Sequence, residues 1–165
     1  MTTLIPEPES SLKSGNERMK VSSEVLNADA ASGHLLKLPK GLIGFPDHTS
    51  FELLYQPDQL PFRWLRLIGP DTVHFVVIEP NGIVPEYEPE LFDEDAAALG
   101  LVDPGDALVL NIVSVSHGEP VTATVNLVGP IIINRRTGIA RQVVLSNHGR
   151  YNARHPLVVS ETSNS

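Results

Sequence analysis

Short runs, apolar throughout or alternating apolar with polar, recur along most of the chain, at residues 20–25, 34–38, 50–55, 63–68, 74–78, 107–115, 121–127, 131–134 and 141–145. A period of two sends successive side chains to opposite faces of an extended backbone, and a short apolar run bounded by turns suits a strand covered on both faces, so each run predicts a strand. The runs are separated by Pro39-Lys40-Gly41, Gly44-Phe45-Pro46, Gly69-Pro70-Asp71, Pro80-Asn81-Gly82, His117-Gly118-Glu119-Pro120 and Thr137-Gly138. Glycine tolerates positive φ and proline pre-sets φ, so these are turns, and strands joined by short turns pair antiparallel. One segment breaks the pattern. Asp93 can accept from the free N–H groups of a first helical turn, Glu94 and Asp95 suit its positive end, Ala96-Ala97-Ala98-Leu99 favour helix, and Gly100 ends it. The pattern predicts an all-β, mainly antiparallel domain, compact and barrel-like, with one short helix. A doubly wound sheet would need a helix between most of its strands.

Residues 1–18 are polar, contain proline and show no period, which predicts a flexible N-terminal tail ahead of a domain at 19–159, with a short C-terminal tail at 160–165. A length of 165 residues suits one domain, and 41% hydrophobic against 19% charged residues is enough to bury a core. With no cysteine, the chain has no disulfide, thiolate metal site or cysteine nucleophile. The N-terminal stretch lacks the apolar run of a signal peptide, and Val128 to Ile133 falls far short of the roughly 20 residues that span a bilayer. A cytoplasmic protein without a membrane span is expected.

Catalytic chemistry has little to stand on. The six histidines never occur as HxH, HxxxH or HExxH, and no phosphate-cradling loop, nucleophile elbow or dinucleotide fingerprint is present. No metal, no cofactor and no catalytic residue are expected. Charge is more informative. Between Leu67 and Asn134 there is no Lys or Arg, while Asp71, Glu79, Glu86, Glu88, Glu90, Asp93, Glu94, Asp95, Asp103, Asp106 and Glu119 are all acidic. The stretch that follows carries Arg135, Arg136, Arg141, Arg150 and Arg154 with no carboxylate. Either the two halves neutralise each other within the fold, or the acidic half stays exposed. In the second case, with a formal net charge of -8, it repels nucleic acid and steers basic proteins towards itself.

Individual positions sharpen this. Glu86, Tyr87 and Glu88, with Glu90 beyond them, are the foremost candidates for a partner-binding surface, because an aromatic among carboxylates adds contact area inside a charged rim. Tyr151, Arg154 and His155 follow the last clear strand and read equally as a structural latch or as a binding site. Phe62 and Trp64 fall on one face of a predicted strand and are assigned to core packing. Gly41 and Gly44 serve turn geometry, Phe45 anchors that turn to the core, and Asn126 and Asn134 satisfy backbone groups at strand ends.

Gly41-Leu42-Ile43-Gly44-Phe45-Pro46 followed by Pro61-Phe62-Arg63-Trp64-Leu65 resembles the flagellar assembly factor FliW family. The blocks Phe75 to Pro80, Val125 to Asn134 with Pro130 at its centre, Gln142 to Leu145 and Tyr151 to Leu157 match that family in the same order. The tail before Met19 departs from it, as do Val125 and Gly129, where alanine is more usual. The resemblance implies a compact β-barrel-like fold, no catalysis, and two protein partners: flagellin, and the small basic translational regulator CsrA. It further implies a switch, in which export of flagellin frees the protein to capture CsrA and relieve repression of flagellin mRNA. An acidic surface suits CsrA, which must grip RNA phosphates, and an apolar or aromatic patch suits the adhesive ends of flagellin. The competing readings are a small β-barrel enzyme or ligand-binding module with a histidine and carboxylate pocket, and a purely structural assembly subunit.

Overall fold

The structure is a computed structural model that describes residues 19–20, 35–54 and 56–157. The proposed tail at 1–18, the first predicted strand beyond Lys20 and the terminus at 160–165 lie outside the described residues. The strands are β1 (Met19–Lys20), β2 (Leu35–Lys37), β3 (Ser50–Leu54), β4 (Arg63–Ile68), β5 (Thr72–Ile78), β6 (Glu90–Leu91), β7 (Ala107–Ser116), β8 (Thr122–Val125), β9 (Ile131–Asn134), β10 (Ala140–Gln142) and β11 (His155–Leu157). The single α-helix among the described residues, α1, spans Asp93–Ala98.

The main sheet runs β10-β9-β7-β5-β4-β3-β2, with β8 beside β7 and β11 beside β8, and β1 pairs separately with β6. Every strand pair is antiparallel. Among the described residues the two outer strands, β2 and β10, meet at one point only, where Lys37 N–H donates to the Gly138 carbonyl at 2.9 Å. Among the described residues the sheet therefore curls without closing into a continuous barrel, and the expected antiparallel, mainly β class with one short helix stands.

The burial pattern explains the strands. Along β4 the core face carries Arg63, Leu65 and Leu67, alternating with half-exposed Trp64, Arg66 and Ile68. Phe51, Leu65, Leu67, Leu108, Leu110, Ile131 and Ile133 build one cluster. In β7 and β9 the apolar run is unbroken because both faces are covered: Leu108 and Leu110 enter that first cluster, while Ala107, Val109 and Ile132 meet Leu91, Leu99 and Leu145 beneath α1. A third cluster of Ile78, Val84, Val113, Val125 and Leu127 lies below two long loops and fixes the ground on which they stand.

Local chemistry moved several boundaries. Asp93 is the first helical residue and not the cap; Phe92 occupies the cap position, with no side-chain hydrogen bond. Gly100 does follow the helix, and Leu101 N–H bonds back to the Ala96 carbonyl at 2.9 Å. β8 stops at Val125 because the Asn126 Oδ1 takes the N–H groups of Val128 and Gly129 at 3.0 and 2.9 Å, out of the ladder. β10 ends at Gln142, and residues 143–145 continue as irregular backbone, with Val143 N–H on the Pro130 carbonyl. The short strands β6 and β11 were not expected.

Candidate protein-binding surface

Two loops converge over the third cluster: residues 79–89, between β5 and β6, and residues 143–154, between β10 and β11. The first loop starts on a tight turn, with Ile83 and Val84 N–H groups both donating to the Pro80 carbonyl at 2.9 Å. Pro85 precedes Glu86, which holds φ of 60° and is the one non-glycine residue at positive φ among the described residues. The reversal there points Tyr87 inward.

Tyr87 is the root of the assembly. Its hydroxyl donates to the Leu127 carbonyl at 2.7 Å and accepts from Asn111 Nδ2 at 3.1 Å. Burial pushes the phenol well above its ordinary value, only partly offset by the Asn111 hydrogen bond, so the group stays protonated and donating. Its ring meets Tyr151 edge to face, with centroids 4.8 Å apart. The Tyr151 hydroxyl in turn accepts from Glu88 N–H at 2.9 Å. Asn147 completes the clamp: its Oδ1 accepts from Glu90 N–H at 3.2 Å and its Nδ2 donates to the Glu88 carbonyl at 2.9 Å.

The expected surface trio is thereby split. Glu86 and Glu88 are exposed, whereas Tyr87 is a packing and hydrogen-bonding residue, because its polar tip finds partners below the loop. Glu90 is half-buried in β6, with its backbone held by Asn147 and Ser146. Tyr151 acts as a latch on the first loop. Arg154 is exposed, and His155 is half-buried in β11 opposite Val125. A cleft of about 450 Å³ opens between the loops, with Glu86 on one lip and Arg150, Tyr151 and His155 on the other. A second, of about 630 Å³, lies between the residue 80–89 loop and Val109 of β7.

The remaining singled-out residues lie elsewhere. Gly41 has φ of 65°, and a Cβ there would sit 2.2 Å from the Phe45 carbonyl oxygen. Phe45 packs edge-on against Phe75, with centroids 5.5 Å apart. Phe62 leans on the third cluster, but Trp64 faces away from the core, with its Nε1 donating to Gln59 Oε1 at 3.0 Å. The core assignment holds for Phe62 and fails for Trp64, because Arg63 takes the inward position at the start of β4. Asn134 bridges two elements, donating to the Leu99 carbonyl at 2.8 Å and accepting from Arg136 N–H at 2.9 Å.

Charge neutralisation between the halves is partial. Arg141 meets Asp95 at 3.2 Å and Arg136 reaches Asp106 at 3.8 Å, while Glu79 of the acidic half pairs with Arg63, which precedes both halves, at 2.9 Å. Burial raises the Asp95 carboxyl above its ordinary value, against the pull of Arg141. Glu86, Glu88 and Glu94 stay at the surface. Residue patterns missed Asn111, fully buried at the foot of Tyr87, and Asn147. A lone amide inside the apolar run 107–115 was the available signal for Asn111; nothing marked Asn147. Among the described residues no three His, Asp or Glu side chains gather as a metal site, and no helix is long and apolar enough to cross a membrane.

Comparison with known proteins places this architecture. The family model described as FliW protein matches residues 21–157. A flagellar assembly factor FliW from Leptospira biflexa serovar Patoc is 34% identical over 113 residues, covering 68% of this chain and 74% of the relative. One from Desulfitobacterium hafniense is 35% identical over 141 residues, covering 84% and 91%. A crystal structure of the flagellar assembly factor FliW superposes with a TM-score of 0.66 at 28% identity, over 86% of this chain and 99% of that one.

Proposed function

The chain belongs to the FliW family of flagellar assembly factors, and from that premise we propose that it works by binding flagellin and, when free of it, the basic translational regulator CsrA. Its relatives are named for assembly and not for catalysis. The action is then stoichiometric: the protein holds flagellin before export, and once released it withdraws CsrA from flagellin mRNA in the cytoplasm.

The observation that supports this best is the pinned acidic loop. Glu86 and Glu88 project from a backbone that Tyr87, Tyr151 and Asn147 hold in one conformation, in a half of the chain without any Lys or Arg. A loop held in place loses little conformational entropy on binding, and fixed carboxylates raise the encounter rate with a cationic surface. They need not imitate RNA, because CsrA can be engaged wherever its positive field is strong.

Mixing the purified chain with CsrA and, separately, with monomeric flagellin tests the reading by calorimetry or size exclusion. Both complexes should form at micromolar concentration, the CsrA complex should weaken with salt, and the double change Glu86→Lys with Glu88→Lys should weaken it about tenfold or more. Absence of both complexes defeats the proposal, and CsrA affinity untouched by the double change removes this loop from it.

A further inference from the structure

We propose that the cleft between the two loops is a second docking site, for an acidic segment of a partner protein. The inference rests on the function proposed above only in taking the partner to be a protein. It starts from what the basic stretch 135–154 does with its arginines. Arg141 and Arg136 are drawn onto Asp95 and Asp106. The Arg135 guanidinium turns to the backbone, its Nη1 donating to the Gly105 carbonyl at 3.4 Å. Arg150 and Arg154 are both exposed, and neither has a carboxylate partner among the described residues.

These two cations sit on rigid backbone. Between them, Tyr151 is locked onto Tyr87 and Glu88, Asn152 accepts from Leu127 N–H through its carbonyl at 3.2 Å, and Asn152 Oδ1 takes Arg154 N–H at 2.7 Å. β11 then ties the segment to β8. The Arg150 guanidinium lies 5.6 Å from the Tyr151 ring centroid, which supports its plane. Exposed His148 adjoins this pair in sequence, and His155 lines the cleft. A protein of net charge -8 that sets Arg150 in the lining of a cleft of about 450 Å³, with exposed Arg154 two residues beyond the lining Asn152, offers a carboxylate a bidentate partner.

Glu86 decides between acidic peptide and nucleic acid. Among the described residues it is the one carboxylate lining the cleft. An RNA strand carries a charge on every residue and would be driven against Glu86 and the exposed Glu88 beside it. A peptide can set a few carboxylates at Arg150 and Arg154 and place neutral residues against Glu86.

Fluorescence anisotropy with three labelled probes tests this: a peptide of alternating Glu and Gly, its Gln and Gly counterpart, and a single-stranded RNA of equal length. The full chain should bind the Glu peptide alone, with an affinity that falls as salt rises. Arg150→Glu and Arg154→Glu should each weaken it about tenfold, Arg136→Glu should change it by less than about twofold, and Glu86→Gln should tighten it. Should Arg150→Glu disturb Tyr151 and the fold, as thermal melting would reveal, Arg154→Glu at its exposed position and Arg150→Lys carry the same test. Lysine keeps the charge and loses the fork, so it should weaken binding by less than glutamate does. The proposal falls if the Glu peptide does not bind at millimolar concentration, if Arg136→Glu weakens it as much as Arg154→Glu, or if RNA binds in preference. A chain that ignores the acidic peptide yet captures CsrA loses this site and keeps its proposed function; one that captures neither CsrA nor flagellin loses the function itself.

Discussion

At the scale of single residues, the polar groups that the fold buries decide more than those it exposes. Asp95 sits beside Arg141 at 3.2 Å, and still its carboxyl titrates above the ordinary value, since loss of solvent outweighs the arginine and neighbouring Glu94 adds repulsion. A carboxyl with a raised folded pKa binds its proton more tightly in the native state than in the unfolded one. Its contribution to stability is most favourable at low pH and is lost as pH rises from the unfolded value, near 3.8, through the folded one. Asp95→Asn removes that ionisation. The melting temperature of the variant minus that of the parent should therefore climb as pH rises through the carboxylate range, measured by calorimetry at matched ionic strength. A difference that falls with rising pH would show that Arg141 dominates. Tyr87 follows the same rule with the opposite utility: burial keeps its phenol protonated and thus able to donate to Leu127.

At the scale of elements, turns carry the information that strands do not. The turn from Gly41 to Pro46 is closed by Phe45 N–H on the Leu42 carbonyl at 2.7 Å, and its two glycines do different work. Both have positive φ, so alanine at either costs about 1 kcal/mol in backbone strain. At Gly44 nothing lies within 4 Å of an added Cβ, whereas at Gly41 the Phe45 carbonyl oxygen is 2.2 Å away and backbone would have to move. Gly44→Ala should cost about 1 kcal/mol and Gly41→Ala several times that, or fail to fold, as denaturant titration would measure. Equal costs would mean that the turn relaxes freely. Strand identity was legible to the residue for β4 in its period-two pattern and for β9 in its short unbroken apolar run. What escaped was the layer: Trp64 sits in a strand as expected, yet on the outer face, since alternation fixes which residues share a face and not which face turns inward. The surface was legible as a charge run, but the inward turn of Tyr87 depends on Asn111 and Leu127, far away in sequence.

At the scale of the whole molecule, the separation of charge along the chain becomes a field that the fold only partly cancels. Arg63 and Glu79 pair where both are largely buried, so salt screens them weakly. Arg136 is largely exposed and lies 3.8 Å from Asp106, a contact that adds little to stability. Against these stands the self-repulsion of a net charge of -8, spread over surface carboxylates such as Glu86, Glu88 and Glu94. Self-repulsion is long-ranged and is screened first, because the Debye length shrinks from about 14 Å near 0.05 M salt to about 4 Å near 0.5 M. Raising salt over that interval should leave the melting temperature unchanged or raise it slightly, while the association rate with a basic protein falls about tenfold or more. The two readouts separate the two uses of charge. Stopped-flow mixing with a cationic partner and a calorimetric melt in the same buffers would measure them, and a melting temperature that drops with salt as steeply as the rate would mean that the carboxylates are spent on holding the fold together and not on meeting a partner.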